Sequence, residues 1–303
     1  MLGRVLLWAS ESARLQRFIS RSRVSQPVVK RFVAGDRLED ALTAIRELNG
    51  VGIGGILDLL GEGVTDPAGA QAAADEYLTS IQRLPEEGLD TTISVKPTQL
   101  GLAFDLDACL AHLRRLAAAA RDANTTLEID IEQVEYVGDT VTLFRRLRED
   151  YDDARLALQT YLRRTPEDLN AMADLKPKVR LVKGAYSEAP EVAFQSRREI
   201  DAQYRVLTDW LFDHGSDPGI ATHDDRLIEH AKRAAERSGV GKAGFEFQML
   251  YGIRRDLQEA LVAEGYRVRV YVPFGSAWYP YLMRRMAERP ANLRFFMRAL
   301  VGA

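Results

Sequence analysis

Near the end of the sequence, the stretch YPYLMRRMAERP holds a tyrosine, two arginines and a glutamate at helical spacing. In an α-helix, Tyr281, Arg284, Arg285 and Glu288 fall at i, i+3, i+4 and i+7 and share one face. Two neighbouring guanidinium groups can hold one carboxylate through several charge-assisted hydrogen bonds. The spacing therefore predicts a site for an anionic group, and a solvated helix face without a ligand is the alternative.

Polar residues also occur in and after eight apolar runs, at positions where an α/β protein places its chemistry. The runs are 52–62, 91–101, 125–132, 154–162, 178–186, 218–224, 242–252 and 266–275. The polar residues are Lys96, Asp130, Glu132, Gln159, Arg180, Lys183, Tyr186, Thr222, His223, Glu246, Gln248 and Tyr271. Such a lining fits a small zwitterionic ligand. For any one residue the alternative is a buried structural ion pair, such as Asp130 with Lys96 or Arg180.

The elements that position these residues follow from the alternation of apolar runs with amphipathic stretches, which predicts βαβ units and a parallel sheet. Eight units indicate an α/β fold of the (β/α)8 TIM-barrel type, with the last helix over the barrel mouth. We expect residues 1–36 to form an N-terminal helical arm and residues 37–303 the catalytic barrel. A doubly wound open sheet is the competing architecture, and it usually has fewer strands for this length.

Three glycines, Gly50, Gly52 and Gly55, match the spacing GxGxxG. A dinucleotide-binding turn needs these glycines after a strand and at the start of a helix. Here they precede the first apolar run. They therefore predict the end of a helix and a tight entry into the first strand.

Composition excludes several classes of protein. The net charge of −3 argues against nucleic-acid binding. The single cysteine, Cys109, excludes an internal disulfide framework, and no histidine pair has metal-ligand spacing, so we expect no metal site. The first 31 residues hold seven basic residues and one acid. This segment predicts a helical arm that touches the barrel or a membrane surface, with a targeting segment as the alternative.

Eight motifs together resemble the proline dehydrogenase family in its short, monofunctional bacterial form, over about residues 30 to 300. The motifs are SVKPTQLG, LEIDIE, LQTYLRRT, RLVKGAY, ATHD, FEFQMLYG, YVPFG and YLMRRMAERP. The resemblance implies non-covalently bound FAD and the oxidation of L-proline to 1-pyrroline-5-carboxylate, with hydride passing from proline C5 to flavin N5. It also implies that electrons continue to a quinone, as the first step of proline degradation to glutamate.

The resemblance assigns the substrate to one group of side chains: Lys96, Tyr271, Tyr281, Arg284, Arg285 and Glu288. The two arginines would clamp the proline carboxylate with the help of the lysine, the tyrosines would enclose the ring, and the glutamate would orient the arginines. Asp130 and Arg180 are implied as catalytic, the first organising nearby cations and the second reaching the flavin N5 region. The flavin would be held by Ile131, Gln159, Arg180, Lys183, Gly184, Ala185, Thr222 and His223.

The resemblance further implies a peripheral membrane contact in a bacterial cytoplasm, with a mitochondrial location as the alternative. A hand-off of product to a separate pyrroline-5-carboxylate dehydrogenase is also expected. Three other functions stay open: another FAD barrel such as methylenetetrahydrofolate reductase, a Schiff-base lyase using Lys183 or Lys96, and an inactive barrel that serves as a binding module.

Overall fold

The computed structural model describes residues 26–61 and 64–288, and side chains over residues 29–61 and 64–283. Eight parallel strands form a closed barrel in which each strand pairs with the next and β1 pairs with β8. The strands are β1 Gly54–Leu59, β2 Thr91–Val95, β3 Leu127–Ile129, β4 Ala154–Gln159, β5 Lys178–Val182, β6 Gly219–Ala221, β7 Glu246–Leu250 and β8 Arg267–Phe274. Each strand lies within one of the eight predicted runs, so the predicted (β/α)8 barrel is confirmed.

Helices connect successive strands and cover the outside of the barrel. In the described part of the chain they are α1 Gln26–Phe32, α2 Leu38–Asn49, α3 Pro67–Glu87, α4 Leu106–Asp122, α5 Val134–Arg148, α6 Thr165–Ala171, α7 Arg197–His214, α8 Asp225–Arg237, α9 Arg255–Ala263 and α10 Trp278–Glu288. Several of them begin at a side-chain cap. Asp105, for example, accepts a hydrogen bond from the backbone N–H of Ala108 at 2.9 Å, which satisfies one of the free donors at the start of α4.

The main hydrophobic core lies between the strands and the surrounding helices. Helix α4 shows the pattern: Leu110, Leu113 and Leu116 are buried at helical spacing, and Cys109 is buried beside them as expected of a small apolar residue. A fully buried leucine contributes about 1.5–3 kcal/mol relative to an exposed one. The inside of the barrel, in contrast, holds several buried charged side chains, among them Lys96, Glu128, Arg155 and Arg180.

The GxGxxG-like glycines serve the entry into the barrel. Gly50 follows the last residue of α2, and Gly52 has a φ of 77°, in the left-handed region that favours glycine. At Gly55 a Cβ atom would come within 2.7 Å of a side-chain carbon of Ile45, so the absence of a side chain lets α2 pack directly on β1. No helix follows these glycines directly, which confirms the prediction of a helix stop and a tight strand entry.

A second apolar cluster joins the two ends of the described chain. In it Phe32 and Val33 pack with Trp278, Tyr279 and other residues of α10. Beside it the backbone N–H of Ala34 donates to the Pro273 carbonyl oxygen at 2.9 Å. Helix α1 is therefore fastened to the end of β8 and to α10. Residues 1–25 of the predicted arm lie outside the described part, and the division at residue 36 stays a prediction.

Within the described residues, none of the helices combines the length and the apolar character needed to span a bilayer.

Candidate active site

A cavity of about 970 Å³ opens at the carboxyl ends of the barrel strands. Twelve of the fifteen residues assigned to the site from the sequence line it: Lys96, Asp130, Ile131, Gln159, Arg180, Lys183, Gly184, Ala185, Thr222, His223, Tyr271 and Tyr281. They come from β-strand ends and loops spread around the barrel and from α10. The structure brings these twelve residues together at one mouth, and their roles stay predictions.

The cavity floor is a cluster of charged side chains around Lys96. Its ammonium donates a short hydrogen bond to Asp58 and lies 3.4 Å from an oxygen of Asp130. Asp130 accepts further hydrogen bonds from Ser94 Oγ at 2.7 Å and from Tyr271 Oη at 2.6 Å. One lysine thus bridges two carboxylates, and a tyrosine hydroxyl is fixed beside them.

Arg180 completes this floor from β5. One of its nitrogens makes a short ion pair with Asp130 and also donates to Ser94 Oγ at 3.1 Å. Its guanidinium carbon lies 5.3 Å from the centre of the Tyr271 ring, within cation–π range. Arg180 is only 4% exposed. Its orientation is therefore set by three partners and by packing.

The charges of the floor favour the ionised forms of Asp130 and Lys96, whereas burial raises the pKa of Asp58. Burial alone would raise the pKa of Asp130, but the charges of Arg180 and Lys96 outweigh it, so that the pKa lies below its ordinary value. Burial would lower the pKa of Lys96, but Asp58, Tyr271 and Asp130 raise it well above the ordinary lysine value. Burial and the neighbouring carboxylates raise the pKa of Tyr271, so that the tyrosine keeps its proton.

Beyond the floor, the cavity runs towards a rim of alternating charges. Lys183 donates to Asp201 at 2.6 Å and to Asp224 at 3.3 Å, while Arg197 donates to Asp224 at 2.8 Å. Burial opposes ionisation of Asp224, but the hydrogen bond from Arg197 and the charge of Lys183 lower its pKa to about 2. The rim therefore holds two cations, each paired with a carboxylate, and the Arg197 side chain is largely exposed.

The turn after β5 lies close to the cavity wall. Gly184 has a φ of 117°, and a Cβ atom there would come within 2.2 Å of the Tyr161 ring. Only glycine fits both this backbone conformation and this contact. The turn thus places the backbone of Lys183, Gly184 and Ala185 directly along the cavity.

Two further polar side chains have orientations fixed by their partners. His223 Nε2 accepts a hydrogen bond from the backbone N–H of Leu250 at 3.0 Å, so a neutral ring carries its proton on Nδ1. Gln159 donates from Nε2 to the backbone oxygen of Glu132 at 2.8 Å. Both residues line the cavity with defined hydrogen-bonding groups.

Comparison with known proteins identifies the family. The family model described as Proline dehydrogenase matches residues 41–298. Proline dehydrogenase 1 of Bacillus subtilis is 37% identical over 301 residues, which cover 99% of each chain. Proline dehydrogenase of Deinococcus radiodurans is 40% identical over 279 residues, 90% of each chain. The chain belongs to the proline dehydrogenase family.

Solved structures agree at the level of the fold. The structure of proline utilization A (PutA) from Bdellovibrio bacteriovorus, inactivated by N-propargylglycine, matches with a TM-score of 0.82 at 24% identity. The match covers 87% of this chain and 33% of that one. This structure supports the barrel fold, and the family model and the curated relatives confirm the resemblance to the proline dehydrogenase family and with it proline oxidation.

Helix α10 carries the last group of predicted residues, of which the structure describes Tyr281 at the cavity. Tyr281 lines the cavity and is buried. Positions 284, 285 and 288 lie on the described backbone of α10, at helical spacing from Tyr281. The side chains of Arg284, Arg285 and Glu288 lie outside the described residues, and their roles stay predictions.

The structure corrects the predicted position of Glu246. This residue begins β7 and pairs with Arg155, Arg267 and Arg269 at the opposite, amino-terminal end of the barrel interior. Glu132 also has a structural partner, since it accepts hydrogen bonds from the backbone N–H and the hydroxyl of Thr98 at 3.0 and 2.7 Å. Neither carboxylate lines the cavity.

Sequence reasoning missed Asp58, Arg197 and Asp224, all of which line the cavity. Asp58 was detectable, because it is a single acid inside the apolar first strand. The rim pair was not, because a surface arginine and a helix-capping aspartate occur in most α/β proteins.

Proposed function

We propose that this member of the proline dehydrogenase family oxidises L-proline to 1-pyrroline-5-carboxylate with non-covalently bound FAD and passes the electrons to a quinone. The observation that carries the proposal is the composition of one continuous cavity. Its floor is a rigid cluster of Lys96, Asp130, Arg180 and Tyr271, and its rim holds the cations Lys183 and Arg197. A small zwitterion suits the first part, and an anionic cofactor suits the second.

The residues present fit a flavin. The volume of about 970 Å³ lies at the upper end of the range of roughly 300–1,000 Å³ that is usual for ligand sites. The wall at Gly184 has no room for a side chain beside Tyr161, as expected where backbone must approach a ligand closely. Gln248, which lines the cavity, has a buried amide oxygen without a hydrogen-bond partner among the described residues.

The cofactor side of the cavity would then divide as follows. Ile131, Gln159, Thr222 and His223, with the turn formed by Lys183, Gly184 and Ala185, would contact the ring system and its ribityl phosphate chain. When bound, the flavin supplies hydride acceptance at N5, the step that no protein side chain performs. Arg180 would provide a fixed positive charge close to that atom, already oriented by Asp130 and Ser94.

The substrate side would hold proline by its carboxylate. Arg284 and Arg285 would bind the carboxylate with Lys96, and Glu288 would orient the arginine pair. Tyr271 and Tyr281 would enclose the ring, because both line the same cavity. Asp130 would keep the lysine and Arg180 in place.

The proton balance needs no dedicated base among these residues. Proline must lose its ammonium proton before C5 can release hydride. The cations around the site disfavour a second ammonium group and so favour the neutral amine. Asp130 is ionised but holds hydrogen bonds from three side chains, which makes it an organising group.

The structure disfavours a Schiff-base lyase. A lysine nucleophile has to be deprotonated before it can attack a carbonyl. Lys96 lies between Asp58 and Asp130, and its pKa is raised against the effect of burial. Lys183 is held by two carboxylates at 2.6 and 3.3 Å. The environment of Lys96 does not favour a neutral amine, and the amino group of Lys183 is already engaged by the two carboxylates.

Family membership and the bacterial relatives support three further proposals. The electron acceptor is a quinone, and the protein contacts the membrane peripherally in a bacterial cytoplasm. The product passes to a separate pyrroline-5-carboxylate dehydrogenase.

One spectrum of the purified protein, before and after addition of proline, tests the proposal. We expect a yellow protein whose flavin absorbance is bleached by L-proline under anaerobic conditions. Acid precipitation should release all the yellow colour into the supernatant. Colour retained in the pellet would contradict non-covalent binding. A colourless protein, or a yellow one that proline does not bleach, would refute the proposed reaction. Bleaching by a reduced or methylated folate in place of proline would favour the reductase alternative.

A further inference from the structure

A second charged cluster fills the amino-terminal half of the barrel interior, below the cavity floor. Arg155 is its centre and is only 2% exposed. It donates to Glu128 at 3.2 Å, to Asp217 at 2.8 Å, and through a shorter bond to Glu246. Arg269 donates to Glu246 at 3.2 Å. This lower cluster uses none of the residues assigned to substrate or cofactor.

Glu128 is the member of the lower cluster that also reaches the cavity floor. One carboxylate oxygen accepts from Thr92 Oγ1 at 2.7 Å and from Arg155 at 3.2 Å. The other lies 3.7 Å from a guanidinium nitrogen of Arg180 and 3.4 Å from the amide nitrogen of Gln248. Both Arg180 and Gln248 line the cavity.

The contact between Glu128 and Arg180 acts mainly through charge. At 3.7 Å it is longer than a hydrogen bond. The orientation of Arg180 is already set by its bonds to Asp130 and Ser94 and by the Tyr271 ring. Glu128 is completely buried, so water screens its charge little. Its main effect on Arg180 is to offset part of the guanidinium charge.

We infer that Glu128 is a positioning residue that sets, through Arg180, how strongly the cavity attracts negative charge. This inference rests on the proposed function, because it takes Arg180 to lie beside the flavin. It predicts that the affinity for a carboxylate ligand and the reduction potential of the bound flavin both depend on a residue that touches neither. The sign follows from charge. Less negative charge beneath Arg180 means tighter anion binding and a flavin that is easier to reduce.

The test is Glu128→Gln in the FAD-loaded enzyme. The amide oxygen of glutamine can still accept from Thr92 and Arg155, while the charge is lost. The probe is cyclopentanecarboxylate, a proline isostere without the amine, titrated against the flavin absorbance. A single charge taken at about 10 Å from the ligand, at an effective dielectric constant of about 20 to 40, corresponds to a roughly fourfold to sixteenfold tighter dissociation constant. The flavin potential, measured by equilibration with a reference dye, should move positive.

Glu246→Gln is the matched control. Glu246 is equally buried and belongs to the same lower cluster, but its charge is shared by Arg155, Arg267 and Arg269. It reaches the cavity lining through a hydrogen bond from the Gln248 amide at 2.7 Å, and it has no ion pair with Arg180. We expect a loss of thermal stability with less than a twofold change in probe affinity. An equal effect of both variants would overturn the inference, since any buried carboxylate would then do the same.

Thr92→Val acts in the opposite direction and removes no charge. Without the 2.7 Å hydrogen bond from Thr92, the negative charge of Glu128 acts more strongly on its cations, so the probe should bind more weakly and the potential should fall. Should Glu128→Gln not fold, this variant decides, and unchanged or tighter binding overturns the inference. If the wild-type enzyme bleaches with proline but a folded Glu128→Gln changes neither the probe affinity nor the flavin potential, the inference is refuted and the proposed function stands. A wild type that does not bleach sinks the proposed function instead.

Discussion

Replacing Arg180 by methionine separates a structural from a catalytic role for this side chain. The variant leaves Asp130 with Lys96 at 3.4 Å, and it leaves Glu128 with Arg155 at 3.2 Å. Each carboxylate thus keeps a cation. We therefore expect a loss of about 1.5–3 kcal/mol, as for one charged hydrogen bond, and not the 3–5 kcal/mol that follows when a buried charge loses its partner. At about 2–4 °C per kcal/mol, the melting temperature should fall by roughly 3–12 °C.

The effect on catalysis should be much larger. A preoriented group that stabilises charge in the transition state typically contributes about 10²–10³ in rate. We expect Arg180→Met to retain FAD and to be reduced by proline about 10²–10³ more slowly in stopped-flow measurements. The flavin potential should shift negative, because the reduced flavin loses a nearby positive charge.

Arg269→Met is the matched control. Arg269 is a buried guanidinium on β8, below the cavity, and its loss leaves Glu246 with Arg155 and with Arg267 at 3.0 Å. It should melt at a similarly reduced temperature and be reduced by proline at the normal rate. A folded Arg180→Met with unchanged potential and reduction rate would refute the functional role of Arg180. So would an equal loss of rate in the Arg269 control.

Further variants test the two ends of the cavity. Arg284→Met and Arg285→Met should each weaken apparent proline affinity by one to two orders of magnitude, at about 1.5–3 kcal/mol per charged hydrogen bond, with FAD content unchanged; loss of flavin in either would contradict the clamp. Gly184→Ala forces a side chain into a φ of 117° and into a 2.2 Å contact, so FAD should be lost on gel filtration, whereas Gly241→Ala, at a position with nothing within 4 Å, should retain it. The lowered pKa of Asp130 implies stability that is present above about pH 4 and lost as the pH falls through the folded-state value. Asp130→Asn should therefore be less stable than wild type at pH 7, and the difference should shrink below about pH 4 in denaturant titrations; a difference independent of pH would contradict this.

The barrel was predictable because parallel strands are buried on both faces and read as short continuous apolar runs. The strand-end residues Lys96, Asp130 and Thr222 were predictable for the same reason, since each directly follows its strand. The depth of a side chain inside the barrel was not. Glu246 occurs in the same run as Gln248, but it is the first residue of β7. A difference of two positions along the strand places Gln248 at the cavity and Glu246 at the opposite end of the barrel.

The lower cluster could not be derived from sequence either. Arg155 and Arg269 stand in β4 and β8, and only the closed register brings them to one carboxylate, Glu246. A buried arginine in an isolated strand reads as an outward-facing residue. Its role depends on partners that are distant along the chain, and the residue pattern of a single strand does not identify them.

The pairing of β1 with β8 sets the order in which this protein can mature. Arg269 donates to the Gly55 carbonyl oxygen across 214 residues, and Tyr271 donates to Asp130 across 141. A ribosome that adds about 5–20 residues per second needs roughly 10 to 40 s to make the first of these spans. During that time β1 has an unpaired edge that can join other chains. Tyr271 of the cavity floor lies on β8, the strand that closes the barrel. A chain that lacks β8 therefore has an incomplete site, and ligand binding becomes possible only after β8 has paired with β1.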